Sequence, residues 1–130
     1  MKIICLWASP RNISTALMYS FAQRKDTTVM DEPYYGYYLK QTSTRHPEKD
    51  LILKSVETDA EKITSKILNY SEKRKILFIK NMAHHIKGLD ITFTKKFYNV
   101  FLTRNPKMMI SSFIKKIPNI SIEDTGYKDQ

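Results

Sequence analysis

The sequence predicts an α/β domain: a mainly parallel sheet of about four strands with flanking helices. Three observations carry this. Short apolar runs of strand length recur at residues 2–7, 27–30, 75–80 and 97–102. The stretches between them hold apolar residues at helical spacing, bounded by capping residues and prolines. Strands alternating with helices make a sheet whose strands run parallel.

Ile3-Ile4-Cys5-Leu6-Trp7 is a buried strand ended by the turn at Ser9-Pro10. Residues 14–24 form a helix, with Ile13, Ala16, Leu17 and Phe21 as its apolar stripe and Arg24 and Lys25 at its C-terminal end. Thr27-Thr28-Val29-Met30 is a second strand, stopped at Asp31-Glu32-Pro33 because the residue before proline is pushed out of the helical region. The tyrosine-dense segment 34–39 follows, and then a polar loop with a short helix over 41–57. Thr58 caps a helix from about 59 to 72, with Glu61 completing a capping box and Ile63, Ile67 and Leu68 on its apolar face. Residues 75–80 give the third strand, 89–96 a short helix and 97–102 the fourth strand. Asn105 then caps a helix with Pro106 at its first position, which runs to about 116 and stops at Pro118. Trp7, Met108 and Met109 read as core. The tail after 116 holds no closing element, and four strands with few covering helices make a thin domain. The sequence therefore reads as a single domain, the N-terminal part of something longer.

At 130 residues the chain has room for one domain with its own core. Apolar residues make up 42% and charged residues 27%, as in ordinary globular proteins, and no apolar run nears the ~20 residues of a membrane span. The single cysteine, Cys5, rules out a disulfide framework. A cytoplasmic enzyme is the simplest setting. The net charge of +9 points to anionic partners without choosing among them.

Chemistry concentrates where strands end. In a parallel sheet, ligands bind at the carboxyl ends of the strands. The segments 8–15, 31–38, 81–85 and 103–112 all follow strands, so all four gather on one edge. The first, Ser9-Pro10-Arg11-Asn12-Ile13-Ser14-Thr15, joins a strand to a helix N-terminus, whose unpaired N–H groups and dipole favour an anion. Gly36, Gly88 and Gly126, the three glycines, all lie away from this turn. A nucleoside triphosphate loop of the Walker type and a dinucleotide fingerprint both require glycine there, so neither is supported.

Pro10-Arg11-Asn12-Ile13-Ser14-Thr15 resembles the loop by which the sulfotransferase family holds the 5′-phosphosulfate of 3′-phosphoadenosine 5′-phosphosulfate (PAPS). Arg104-Asn105-Pro106, with Ser112 eight positions after the arginine, resembles that family's 3′-phosphate site. The resemblance covers about residues 1–116. It implies a P-loop-like nucleotide-binding fold and a sulfotransferase, with PAPS as co-substrate and no metal. Arg11, Asn12, Ile13, Ser14 and Thr15 would lie on the 5′ end, Arg104 and Ser112 on the 3′-phosphate, and Arg11 would also stabilise the departing charge. Arg11 stands where many members have lysine. Ile13 stands where glycine is common, so the loop is expected to avoid positive φ there. The family's later glycine-containing basic motif has no match before Gln130.

An acceptor hydroxyl or amine needs a base. Glu32, just after the second strand and before the aromatic segment, is the first candidate. Asp31 adds like-charge repulsion beside it, and Arg11 or Arg45 offers it a partner. His84, with its neighbour His85, is the alternative, since histidine titrates near neutrality. The resemblance implies a small-molecule or glycan acceptor, and Tyr34, Tyr35, Tyr37 and Tyr38 offer rings and hydroxyls to line its pocket. Two other readings stay open from the residues alone. One is a basic α/β module binding nucleic acid or another polyanion, with the tyrosines as stacking platforms. The other is a phosphotransferase with an atypical loop.

Overall fold

A computed structural model describes residues 1–42, 48–70, 74–117 and 119–130. Its four strands are β1 (Lys2–Ala8), β2 (Thr27–Asp31), β3 (Ile76–Met82) and β4 (Tyr98–Leu102). They form one sheet in the order β2-β3-β1-β4, with every pairing parallel. The helices among the described residues are α1 (Ser14–Ala22), α2 (Tyr35–Gln41), α3 (Lys49–Ser55), α4 (Ala60–Leu68) and α5 (Pro106–Ile114), with short 3-10 turns after β3, before β4 and in the tail. The α/β class read from the sequence is the class observed. No helix among the described residues is long and apolar enough to cross a membrane.

The core follows from the period of two along a strand. Cys5 and Trp7 of β1 and Leu77 and Ile79 of β3 bury one face against Ile63 and Ile67 of α4, Tyr34 and Phe97. The intervening Leu6 and Phe78 bury the other face against Met18 of α1, where Phe21 stacks on Phe78 at 4.1 Å between ring centroids. Both faces of the central strands are thus covered, which is why they read as continuous apolar runs rather than alternating ones. Cys5 lies deep in this layer. Burial pushes its thiol up to about 12, although Asn81 Nδ2 donates to its Sγ at 3.2 Å. The edge strand β4 is different: Tyr98, Val100 and Phe101 are all exposed. Its tie to β1 is reinforced by the Trp7 indole, which donates to Asn99 Oδ1 at 2.8 Å.

Several boundaries differ from the sequence reading. The cap of α4 is Asp59, not Thr58: its carboxylate accepts from Glu61 N at 2.9 Å and Lys62 N at 3.1 Å, while Thr58 N donates to Glu57 Oε1. A charged carboxylate one residue nearer the helix outcompetes the hydroxyl, because it bonds two N–H groups and sits at the positive end of the dipole. The helix ends at Leu68, and the expected extension to 72 reaches residues outside those described. The tyrosine segment is a helix, α2, entered after Pro33. α1 ends at Ala22, and Arg24 instead pairs with Asp26 at 2.9 Å. Met109 is core as expected, whereas Met108 is exposed, since successive helix residues point about 100° apart. The stop assigned to Pro118 lies outside the described residues.

The tail does carry structure. It makes 3-10 turns at Glu123–Thr125 and Tyr127–Asp129. The Tyr127 hydroxyl donates to the Arg104 carbonyl at 3.1 Å, and Gln130 Nε2 donates to the carbonyls of Leu102 and Trp7 at 3.2 and 3.4 Å. These bonds lay the tail over the carboxyl ends of β1 and β4.

Candidate functional site

The turn from β1 into α1 has an unusual backbone. Arg11 and Ile13 both have φ 63°, in the left-handed region. The expectation that Ile13 avoids positive φ is therefore wrong. A β-branched residue in this region is an outlier, and such strain costs on the order of 1–3 kcal/mol. Ile13 is 64% exposed, so packing of its side chain does not impose the conformation. The loop is held instead by its neighbours. Asn12 is buried and donates from Nδ2 to the Leu102 carbonyl at 2.8 Å. Arg104 Nη1 donates to the Arg11 carbonyl at 2.9 Å, and Arg11 Nε donates to Ser112 Oγ at 3.0 Å. Ile13 is also the N-cap of α1 and supplies no side-chain cap. The first-turn N–H groups therefore face the loop without a side-chain acceptor, beside two arginines. The buried Ser9 Oγ and Asn12 Oδ1 lack protein partners as well.

Arg104, Ser112 and the loop thus form one cluster at the β1/β4 ends, although 93 residues separate Arg104 from Arg11. The second junction, from β4 into α5, closes itself: Asn105 Oδ1 accepts from Lys107 N at 3.0 Å, and Pro106 occupies the first turn.

Glu32 reaches the same cleft from β2. Together with Arg11, Ile13, Ser14, Thr15, Lys80 and Met82 it lines a cavity of about 440 Å³. Its backbone is also left-handed, at φ 44°. Two hydrogen bonds fix it there: Glu32 N donates to the Lys80 carbonyl at 2.8 Å, and Tyr35 N donates to the Glu32 carbonyl at 2.9 Å. Three of the four non-glycine residues with positive φ among those described therefore border one cleft. Strain held by surrounding bonds in this way is characteristic of functional sites.

Lys80 is the partner that sequence reasoning missed. Its side chain is only 3% exposed, and its ammonium donates to Asp31 Oδ1 at 2.8 Å and to Glu32 Oε1. Burial disfavours the ammonium, but the bonds from Asp31 and Glu32 outweigh it and raise the lysine above its ordinary value. Asp31 and Glu32 meet through this shared cation, which replaces the repulsion expected between adjacent carboxylates. The signal in the sequence was a lysine directly after the apolar run 76–79, within the carboxyl-terminal half of β3. Arg45, the other proposed partner of Glu32, lies outside the described residues.

The histidines sit behind this pair. In the 3-10 turn Ala83–Ile86, His85 is buried, and its Nδ1 lies 3.8 Å from Glu32 Oε2. Its ring stacks on Tyr38 at 4.8 Å and packs against Tyr35 at 5.1 Å. Burial, then His84 and Lys80, push its titration down to about 2, so it is neutral. His84 is not brought to the cleft. It packs edge-on to Tyr38, and a Cβ built at Gly126 of the tail would come within 3.1 Å of its Nδ1. Burial lowers its titration as well. Of the four tyrosines, Tyr34 is core, bonded to Thr64 Oγ1 at 2.9 Å, and its hydroxyl is pushed up to about 12 by burial. Tyr37 packs against the core, and Tyr35 borders a second cavity that Glu32 also lines.

A four-stranded all-parallel sheet with flanking helices, its strand-to-helix loop, two arginines and a carboxylate at one edge, is an α/β architecture consistent with a P-loop-like fold. The sulfotransferase domain family matches residues 1–130. The chain belongs to the sulfotransferase family. It is also 39% identical over 120 residues to branched-chain-amino-acid aminotransferase-like protein 2 of Arabidopsis thaliana, and 36% identical over 123 residues to branched-chain-amino-acid aminotransferase-like protein 1 of that plant. These matches take in 92% and 94% of this chain but 22% of each relative, so the chain spans about a fifth of the length of the curated relatives it matches.

Proposed function

We propose that this chain moves a sulfuryl group from PAPS to a hydroxyl or amine acceptor. The observation that carries this reading is a single cleft in which the 10–15 loop meets Glu32 and Lys80, with Arg104 and Ser112 bonded to Arg11 at its rim. Cationic forks, hydroxyls and uncapped helix N–H groups form a donor-rich set. Such a set suits an anion carrying several oxygens and leaves little for a neutral ligand.

In this reading the loop from Arg11 to Thr15 holds the 5′-phosphosulfate, and Arg104 with Ser112 holds the 3′-phosphate. Both bond Arg11, and the nucleotide would take over these contacts. Glu32 is the base, and His84 is set aside because the tail and Tyr38 enclose it away from the cleft. Lys80 occupies Glu32 Oε1, which assigns the acceptor's proton to Oε2. As that proton moves to Glu32, the acceptor oxygen or nitrogen forms its bond to sulfur. The sulfur–oxygen bond to the 5′-phosphate breaks, and its electron pair stays on the phosphate oxygen, where Arg11 offsets the growing charge. Positioning and electrostatics supply the rate enhancement, as in phosphoryl transfer.

Calorimetry with adenosine 3′,5′-bisphosphate tests the reading. Saturable binding is expected, weakened at least tenfold by Arg104→Ala, about the loss of one charge-assisted bond. No binding, or binding indifferent to Arg104→Ala, overturns it.

A further inference from the structure

Glu32 borders two cavities. One is the cationic cleft. The other, of about 590 Å³, lies between the end of β2, the start of α2, the segment 55–57 and α4. Its size is that of a small-molecule site. Its inner wall is apolar, built from Met30, Pro33, Ile63 and Ile67, and Val56 extends that wall toward solvent. The segment 55–57 is pinned there by close approach to α2. A Cβ at Gly36 would come within 2.6 Å of both the Glu57 carbonyl and Val56 Cγ2, so this wall requires a glycine beneath it.

Resting on the sulfuryl-transfer reading, we infer that this second cavity is the acceptor site, and that it takes a neutral alcohol or phenol on an apolar aryl or alkyl body. The wall decides the body. A sugar would press most of its hydroxyls against methyl and methylene groups, leaving them unpaired, and sites discriminate strongly against unpaired polar groups. Charge decides the rest. The ionised groups lining the cavity are Asp31, Glu32, Glu57 and Lys66, and Lys80 behind them pairs with Asp31 and Glu32, which leaves one carboxylate in excess. An anionic acceptor meets that excess. An amine meets it as the ammonium, the form without a nucleophilic lone pair. A neutral hydroxyl pays neither penalty. It enters past the exposed Ser55 and Lys66 and reaches Glu32, the residue that lines both cavities.

The test is binding to this protein saturated with adenosine 3′,5′-bisphosphate, followed by calorimetry with three probes: 2-naphthol, the anion 2-naphthoate, and glucose. Naphthol is expected to bind at least tenfold more tightly than either of the others. Ser55→Trp and, separately, Lys66→Trp place an indole at the mouth from exposed positions. Each is expected to weaken naphthol at least tenfold while leaving the affinity for adenosine 3′,5′-bisphosphate unchanged. Glucose or naphthoate binding as tightly as naphthol overturns the inference, as does naphthol binding indifferent to both tryptophan variants. If adenosine 3′,5′-bisphosphate fails to bind but naphthol, measured without it, keeps the expected order and sensitivity, the cavity's specificity is supported and the donor reading is overturned.

Discussion

The β1–α1 and β4–α5 junctions are built from the same parts, a parallel strand running into a nine-residue helix, and they treat the helix end in opposite ways. At β4–α5, Asn105 and Pro106 cap the helix from within the chain, and the backbone carries no positive φ. At β1–α1 the cap position is Ile13, left-handed and without a side-chain acceptor, next to a left-handed Arg11. One junction caps its helix from within. The other leaves its first-turn N–H groups without a side-chain cap and holds a strained backbone beside them. The difference teaches where to look for chemistry on such a sheet: at the strand end where the obvious cap is missing.

The comparison breaks most decisively at the base. Glu32→Gln keeps an acceptor for Lys80 but removes the proton acceptor, and kcat should fall by about 10²–10⁴-fold with little change in nucleotide affinity. Turnover within a few fold of the parent would mean that the cleft at the first junction is not where chemistry happens. Arg11→Ala comes next. It removes the positive charge facing the departing phosphate and should cost about 10²–10³-fold in kcat, whereas Lys107→Ala, at the equivalent edge of the second junction, should leave turnover within a few fold.

Acid should loosen the first junction's side of the sheet. His85 titrates at about 2 in the folded protein because burial disfavours its charge, against about 6.5 when unfolded. Its folded value is depressed, so the unfolded chain binds the extra proton between those limits. Stability is therefore full above pH 6.5 and falls as pH drops below it, by about 1.4 kcal/mol per unit from this residue alone. Melting at pH 7.5 and 5.5 should show the loss, and His85→Phe should reduce it. An unchanged slope in that variant would show that His85 is not the group responsible. The smallest effects are the sharpest for the comparison, because their signs differ. Asn105→Ala should destabilise by about 1 kcal/mol. Ile13→Gly should stabilise by about 0.5–1 kcal/mol, as relief of left-handed strain exceeds glycine's entropic cost. Chemical denaturation reads both, and two losses of equal size would erase the distinction between the junctions.

The same contrast governs what was legible in the sequence. Asn105-Pro106 is a local signal, and the helix it starts was readable to within a few residues. The strands were equally readable: burial on both faces turns the central β1 and β3 into unbroken apolar runs, and β4 reads as one although Tyr98, Val100 and Phe101 are exposed. The left-handed Ile13 was not readable, because a β-branched residue argues against that conformation and the loop is held through Asn12 and Arg11 by Leu102 and Arg104, which are distant in sequence. Lys80 was visible as a strand end, but its role depends on the Asp31↔Lys80 register between β2 and β3, which no local pattern states. Thr58 satisfied the capping-box pattern with Glu61, and only the geometry of the turn gives the cap to Asp59 instead.

Cys5 has a practical consequence. It is the only thiol in the sequence, it lies in the centre of the sheet, and its proton is held tightly enough that a reactive thiolate is scarce at neutral pH. An alkylating dye added to the folded protein therefore has nothing to label until β1 parts from its neighbours. The native chain carries its own unfolding clock, and a cysteine introduced at the rim of either cavity would be the only site a fluorophore finds.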